Sequence, residues 1–316
     1  MNMCALTSCR IMTLTGVLAA TAALPVAVSA GGDTCPRTAR LALRADLLEA
    51  EAAHRIAIAK AINLDERDQE RALREALASF NDAVDLAWAQ ETARRSLCEL
   101  LDEDGYDPDI DPEDFLSPED AAANPNPYFP LVPGTSTLFF SATDGAIEII
   151  QVTVTDQTRE IAGIECFEVR DTVWANGSVI EDTLDWYAQD EDGNVWYFGE
   201  LTFEFEDGVL RGLEGSWEHD VDGAKAGIVM FADPQIGTAY RQEWLLGEAE
   251  DCAEIEAIDD SVDVLYGSFD ECVRTRDFTP ISPGVDELKY YAPGIGFVLE
   301  VKPDGEILEL LAISRP

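Results

Sequence analysis

Between Thr38 and Leu100 the chain has no glycine and no proline, whereas beyond Ser136 one or the other punctuates it repeatedly. A stretch without either residue can sustain long helices, because neither glycine's entropy cost nor proline's missing amide interrupts it. Leu41, Ala45, Leu48, Ala52, Ile56, Ala59 and Ile62 recur at intervals of three or four, which predicts one apolar helical face. Asn63-Leu64-Asp65 breaks the run. Asp65 is placed to cap a second helix, in which Leu73, Leu77, Phe80, Val84 and Ala87 continue the step. Two long helices with so short a break are expected to fold back as an antiparallel hairpin, with His54 on its outer face.

From Ser136 to Ile313 the period changes. Short runs of Val, Ile, Thr and aromatic residues alternate with turns such as Thr143-Asp144-Gly145, Ala175-Asn176-Gly177, Glu206-Asp207-Gly208 and Pro303-Asp304-Gly305. About a dozen strands, mostly sequential and antiparallel, are expected. So many strands need a curved sheet, a sandwich or a barrel-like closure. The fold class is therefore α+β: a helical hairpin over 31–101, an acidic linker over 102–125 and an antiparallel β domain over 126–316. Asn176-Gly177-Ser178 spells a glycosylation sequon, but between two strands it reads as a hairpin turn.

The stretches NPNPYFPLVPGT, DWYAQDEDGNVWYFGE and KYYAPGIGFVLEV resemble a group of exported bacterial proteins of unassigned function. The resemblance covers most of residues 125–316. It implies secretion and an antiparallel β domain, and it brings no activity and no catalytic residues. The Y-A-P-G-x-G ending is also similar to the last hairpin of lipoprotein-type β domains, some of which hold lipids; that is an analogy of fold.

Residues 1–30 read as a signal peptide. Arg10 is the only charge before Asp33, an apolar run extends from Ile11 to Val28, and Val28-Ser29-Ala30 suits signal-peptidase cleavage. The expected location is secreted or periplasmic. No later segment approaches the ~20 continuous apolar residues of a membrane helix, so the cleaved chain is not expected to be an integral membrane protein. The balance of 63 acidic against 21 basic residues, a net charge of −42, argues against nucleic acid as a partner and fits a solvated acidic surface. Export permits disulfides. Cys35 and Cys98 stand at similar separations before and after Leu64, so a hairpin brings them level and predicts a disulfide between them. Cys252 and Cys272 can pair only if Cys252 lies in a flexible loop, and Cys166 is expected as a buried thiol in a strand.

Little in the sequence carries recognisable chemistry. Ser216-Trp217-Glu218-His219-Asp220 cannot supply a triad, because strand neighbours point to opposite faces. No nucleophile elbow, zinc helix, phosphate loop or dinucleotide fingerprint occurs, so no catalytic residue is nominated and the protein is not expected to be an enzyme. The stretch LDEDGYDPDIDPED, residues 101–114, departs from an EF-hand loop at the positions of its glycine and third ligand. It reads as an acidic linker stiffened by Pro108 and Pro112. The alternative is a calcium site built from Asp104, Asp107, Asp109 and Asp111; no other cofactor is expected. The aromatic hairpin is the remaining candidate. Pairing across its turn sets Tyr187 near Trp196 and Trp186 near Tyr197, either as core on both faces or as the lining of a ligand cavity. The function expected is non-enzymatic binding of an apolar or amphipathic ligand in the β domain. Two alternatives remain: a structural protein whose hairpin docks a partner, and a hydrolase working with paired carboxylates. The oligomeric state is left open.

Overall fold

The computed structural model describes residues 33–143 and 146–316. The signal-peptide reading of residues 1–30 and the turn at Asp144-Gly145 fall outside them. Two helices, α1 (Thr34–Ala61) and α2 (Glu66–Leu101), form the expected antiparallel hairpin. Asp65 caps α2 by accepting the Asp68 amide at 3.2 Å. Cys35 and Cys98 are joined by a disulfide across the open end, with their Cα atoms 5.9 Å apart. The cross-link closes a separation of 63 residues. Replacing both cysteines with serine is therefore expected to lower the unfolding free energy by about 2–4 kcal/mol. Peptide mapping without reduction should recover the pair linked, and alkylation of both thiols in the unreduced protein would be the contrary result.

The face that α1 packs is not the expected one. Ala39, Leu43, Ala50 and Ala61 are buried, while Leu48 and Ile56 are 67% and 57% exposed. Alanine lets the two backbones approach closely, and a two-helix hairpin has only one contact line to fill. The larger side chains of Leu41, Leu48, Ile56 and Ile62 turn outward as a result. His54 moves the other way: it is half-buried, stacks on Phe80 at 4.8 Å and bonds the Ala76 carbonyl through Nδ1 at 2.9 Å.

Residues 102–125 lie along the β domain. They contain one turn of 3₁₀ helix (Pro112–Asp114) and a short helix α3 (Pro118–Ala123). Tyr106 donates its hydroxyl to the Ala226 carbonyl at 2.7 Å, Phe115 bridges to Asp190, and Ile110 and Phe115 pack on a buried cluster containing Cys166, Trp186 and Phe198. The apolar residues set among the acids are what dock the segment.

Among the described residues the β domain has fifteen strands, all paired antiparallel. The first seven are β1 (Ser136–Thr143), β2 (Ala146–Ile161), β3 (Ile164–Ala175), β4 (Ser178–Gln189), β5 (Val195–Glu206), β6 (Val209–Gly212) and β7 (Trp217–Glu218). Next come β8 (Lys225–Met230), β9 (Ala239–Arg241), β10 (Glu243–Trp244), β11 (Cys252–Val264) and β12 (Gly267–Phe278). The last three are β13 (Asp286–Ala292), β14 (Gly296–Val301) and β15 (Ile307–Ser314). The order across the sheet is β10-β8-β5-β4-β3-β2-β1-β15-β14-β13-β12-β11-β9, with β6 and β7 added on β5. Most neighbours are sequential, as the turn signals imply. Asn176 and Gly177 both have positive φ, 51° and 83°, the backbone that a two-residue hairpin needs.

The hydrogen-bonded ladder is not closed, yet its two ends are consecutive in the chain. Strand β9 ends at Arg241 and β10 begins at Glu243, so Gln242 alone crosses from one edge to the other. The fit across this seam is close: a Cβ on Gly227 of β8 would stand 2.4 Å from the Arg241 carbonyl oxygen. The sheet therefore curls until its edges meet around a lumen. Cys166, Cys252 and Cys272 are buried and free. Cys252 lies opposite Phe278 and Cys272 opposite Asp260, at different levels of one hairpin, which is why they do not pair.

The hairpin and the residues just past it are tied to the sheet by one buried and one part-buried ion pair. Arg94 of α2 grips Glu250 in a forked contact, with Nε 3.0 Å from both carboxylate oxygens and Nη2 2.6 Å from Oε1. Arg241 holds Glu103 in the same way. Gln90 adds a bond to the Ile281 carbonyl at 2.8 Å.

Candidate functional site

The lumen contains a cavity of about 390 Å³. Neighbouring strands β2, β1 and β15 give it an apolar side through Val152, Val154, Phe139 and Leu308. Its other side is polar. Asp171 of β3, Asp185 of β4 and Glu243 of β10 line it, as do Asp277 of β12, Lys289 of β13 and Glu300 of β14. Strand alternation explains the placement: Asp185 stands opposite Glu200 on β5 and opposite Val169 on β3, so these side chains share the inner face.

The polar residues form two groups. In the first, Lys289 lies 3.3 Å from Asp277 and 3.7 Å from Glu287, and it stands opposite Glu300 across the β13–β14 ladder. These carboxylates hold the lysine ammonium well above its ordinary range although burial opposes its charge. The second group consists of Asp171, Asp185, Glu200 and Glu243. Burial, then repulsion from neighbouring acids, pushes Asp171 up to about 7. Burial is also the main cause at Asp185, raised to about 8 against the opposing bond from the Tyr197 hydroxyl at 2.6 Å. It likewise raises Glu200 to about 8 and Glu243 well above the usual carboxylate range. The charges acting most strongly on each of these four acids are other carboxylates. Asp171 Oδ1 is buried without a hydrogen-bond partner.

The aromatic hairpin divides between two faces, and its register differs from the one expected. Tyr187 pairs with Tyr197 and Ala188 with Trp196, because the ladder shifts between Trp186 and Tyr187. Gly199 lies in this irregularity; its φ is 147°, and a Cβ there would meet the Trp217 carbonyl oxygen at 2.4 Å. Tyr187 shares the inner face of β4 with Asp185, and the extra residue in β5 brings Tyr197 to the same face. Tyr187 and Tyr197 stack at 4.6 Å and line the cavity, with Trp217 edge-on to Tyr197 at 5.2 Å. Trp186 and Trp196 do not reach the cavity. Trp186 is buried on the opposite face with Arg159 over its ring at 4.1 Å, and Trp196 donates to Asp190 at 2.9 Å beside Phe115.

The four aspartates of the acidic segment are not brought together. Asp104 accepts the Thr34 amide at 2.7 Å, Asp107 pairs with Lys225, and Asp111 caps the 3₁₀ turn through the Glu113 amide at 3.0 Å. Asp109 joins neither the Asp107 nor the Asp111 contact. Among the described residues no three acidic, histidine or cysteine side chains converge as a metal-binding group. His219 accepts the Ala226 amide at 3.0 Å and packs edge-on to Phe198, a structural role. Sequence reasoning missed the inner-face acids. The signal lay in strand alternation, where Asp171 follows Val169 by two residues and Asp185 precedes Tyr187 by two.

No family model matches the chain, and no curated protein does. Among solved structures the chain is similar to a "putative lipoprotein" from Parabacteroides distasonis, at 10% identity. The match covers 60% of this chain and 100% of that one with a TM-score of 0.33, too low to carry an argument. Among the described residues no helix is long and apolar enough to cross a membrane.

Proposed function

We propose that this is an exported, non-enzymatic binding protein that holds a small amphipathic molecule in the lumen of its curled sheet. The observation that carries this reading is the cavity itself. Its volume of about 390 Å³ lies in the range of small-molecule sites, and it has one apolar and one polar side. The Cys35–Cys98 disulfide supports a location outside the reducing cytoplasm, secreted or periplasmic. The test uses an uncharged apolar dye such as Nile red. Native protein should bind it at one site, and Val152→Trp, which fills the cavity from β2, should weaken binding at least ~10-fold at a stability cost of about 1–3 kcal/mol. Saturable dye binding unaffected by Val152→Trp, or no binding at all, would remove the cavity from consideration.

A second reading rests on the outward apolar stripe of α1 at Leu41, Leu48, Ile56 and Ile62, which fits a hairpin that docks a protein partner. The carboxylate-dependent hydrolase has Asp185 and Glu200 facing each other, but burial raises both toward about 8. The pair is then mostly protonated at neutral pH and offers little ionised base or nucleophile, so binding is the better-supported reading.

A further inference from the structure

We propose that the lumen selects an organic cation: an ammonium group seated among Asp171, Asp185 and Glu243 against the Tyr187–Tyr197 stack, with its apolar chain along Val152, Val154 and Phe139. This rests on the cavity being a ligand site and adds the sign of the ligand's charge.

Four independent features meet at that point. The cavity reaches all three acids and both tyrosines. Asp185 and Glu243 are 8% and 7% exposed, so their charge is withdrawn from water. Asp171 lines the lumen, and its Oδ1 is buried with no hydrogen-bond partner. The stacked tyrosines, with Trp217 beside them, make the wall next to these acids aromatic, the kind of surface to which an organic cation is attracted.

The other end of the lumen shows how this protein balances buried acids with its own side chains. Lys289 sits among Asp277, Glu287 and Glu300. No equivalent cation leads the interactions around Asp171, Asp185 and Glu243. Buried carboxylates without a counter-charge stay neutral by keeping their protons. An entering ammonium reverses this: a carboxylic acid gives up its proton to solvent, and the carboxylate pairs with the bound cation. Charge is conserved, with one cation taken up for one proton released. A ligand with a carboxylate or phosphate head meets the opposite field and is excluded.

The experiment is competition for the Nile red site in high salt, which screens the exposed acidic surface but not the lumen. The competitors are decylamine, decyltrimethylammonium, decanol and decanoate, each below its micellar concentration. Both ammonium compounds should displace the dye at concentrations at least ~10-fold lower than decanol, and decanoate should be the weakest. Calorimetry near pH 6 in buffers of different ionisation enthalpy should show proton release with the ammonium compounds and none with decanol. Asp171→Asn and Glu243→Gln should each reduce the ammonium preference several-fold while leaving decanol displacement unchanged; having two isosteric variants guards against one failing to fold. Equal displacement by all four, stronger displacement by decanoate, or an ammonium preference that survives both substitutions would overturn the cation assignment and leave the cavity standing. Failure of Nile red to bind native protein would overturn the cavity and this inference together.

Discussion

Replacing Glu250 with alanine is expected to cost about 3–5 kcal/mol of stability, because it strands the buried Arg94 guanidinium without its hydrogen-bonded counter-charge. Glu250 is 2% exposed and Arg94 6%, and their forked contact is the main polar tie between α2 and the β domain. Glu250 also receives the Gly247 amide at 2.8 Å, which holds the loop before β11. Asp46, 3.7 Å from the guanidinium, remains as a second, partly exposed counter-charge but makes no hydrogen bond to it, since Asp46 Oδ2 and Arg94 Nη1 both lack hydrogen-bond partners. The loss measures an abandoned charge rather than the net worth of the pair. The double variant Arg94→Met with Glu250→Leu is therefore expected to recover most of it. Urea unfolding of the single and double variants decides the matter: a double variant as unstable as Glu250→Ala would mean that packing at this junction, not charge, is what was lost.

The parts of this architecture that depend on local pattern were legible in the sequence. The absence of glycine and proline over 38–100 gave two helices, and Asp65 gave the break between them. Asn176-Gly177 fixed a two-residue turn, and the spacing about Leu64 placed Cys35 against Cys98. What failed depended on which of two faces wins. Both stripes of α1 contain alanine and leucine at helical spacing, and close approach of the backbones selected the one with smaller side chains, leaving Leu48 and Ile56 outside. In the aromatic hairpin a single irregularity at Trp186–Tyr187 exchanged the partners, so the two tyrosines rather than a tyrosine and a tryptophan face the lumen. The acids of the lumen were unreadable for a different reason. Alternation puts Asp171 on the face of Val169, but among 63 acidic residues it does not say which strand face encloses a cavity, and Glu243 has no such neighbour pattern. Their burial arises from the curl of the sheet, in which the chain passes from β9 at one edge to β10 at the other through a crossing that no turn signal announces.

Those lumen acids lead to the second large effect: the ligand-free protein should lose on the order of 5 kcal/mol of stability between about pH 5 and about pH 9. Asp185 moves from 3.8 to about 8 on folding, a change that by itself corresponds to on the order of 5 kcal/mol. Asp171 and Glu200 add to this, by less than their separate shifts suggest, because part of each shift is repulsion among the same acids. The sign follows from proton counting. A carboxyl whose folded value is raised binds its proton more tightly in the native state, so its contribution is complete below the unfolded value near 4 and disappears as pH rises through 7 to 8. Asp182, held below its ordinary value by Arg170, works the other way, but its window lies below about pH 4. His219, lowered by burial, opposes the trend only beneath 6.5, so the decline should be steepest above that point. Surface repulsion in a chain of net charge −42 adds to the loss at low ionic strength, and high salt separates the two, because it screens exposed charges and leaves buried ones in place. Urea unfolding in high salt should show the decline in native protein and a much shallower one in Asp185→Asn, whose amide oxygen can still accept from Tyr197 without ever becoming charged. The substitution should therefore make the protein more stable at alkaline pH than the native chain. An Asp185→Asn profile parallel to the native one would show that Asp185 reaches solvent when it ionises, and that the acid side of the lumen is wet rather than waiting for a counter-charge.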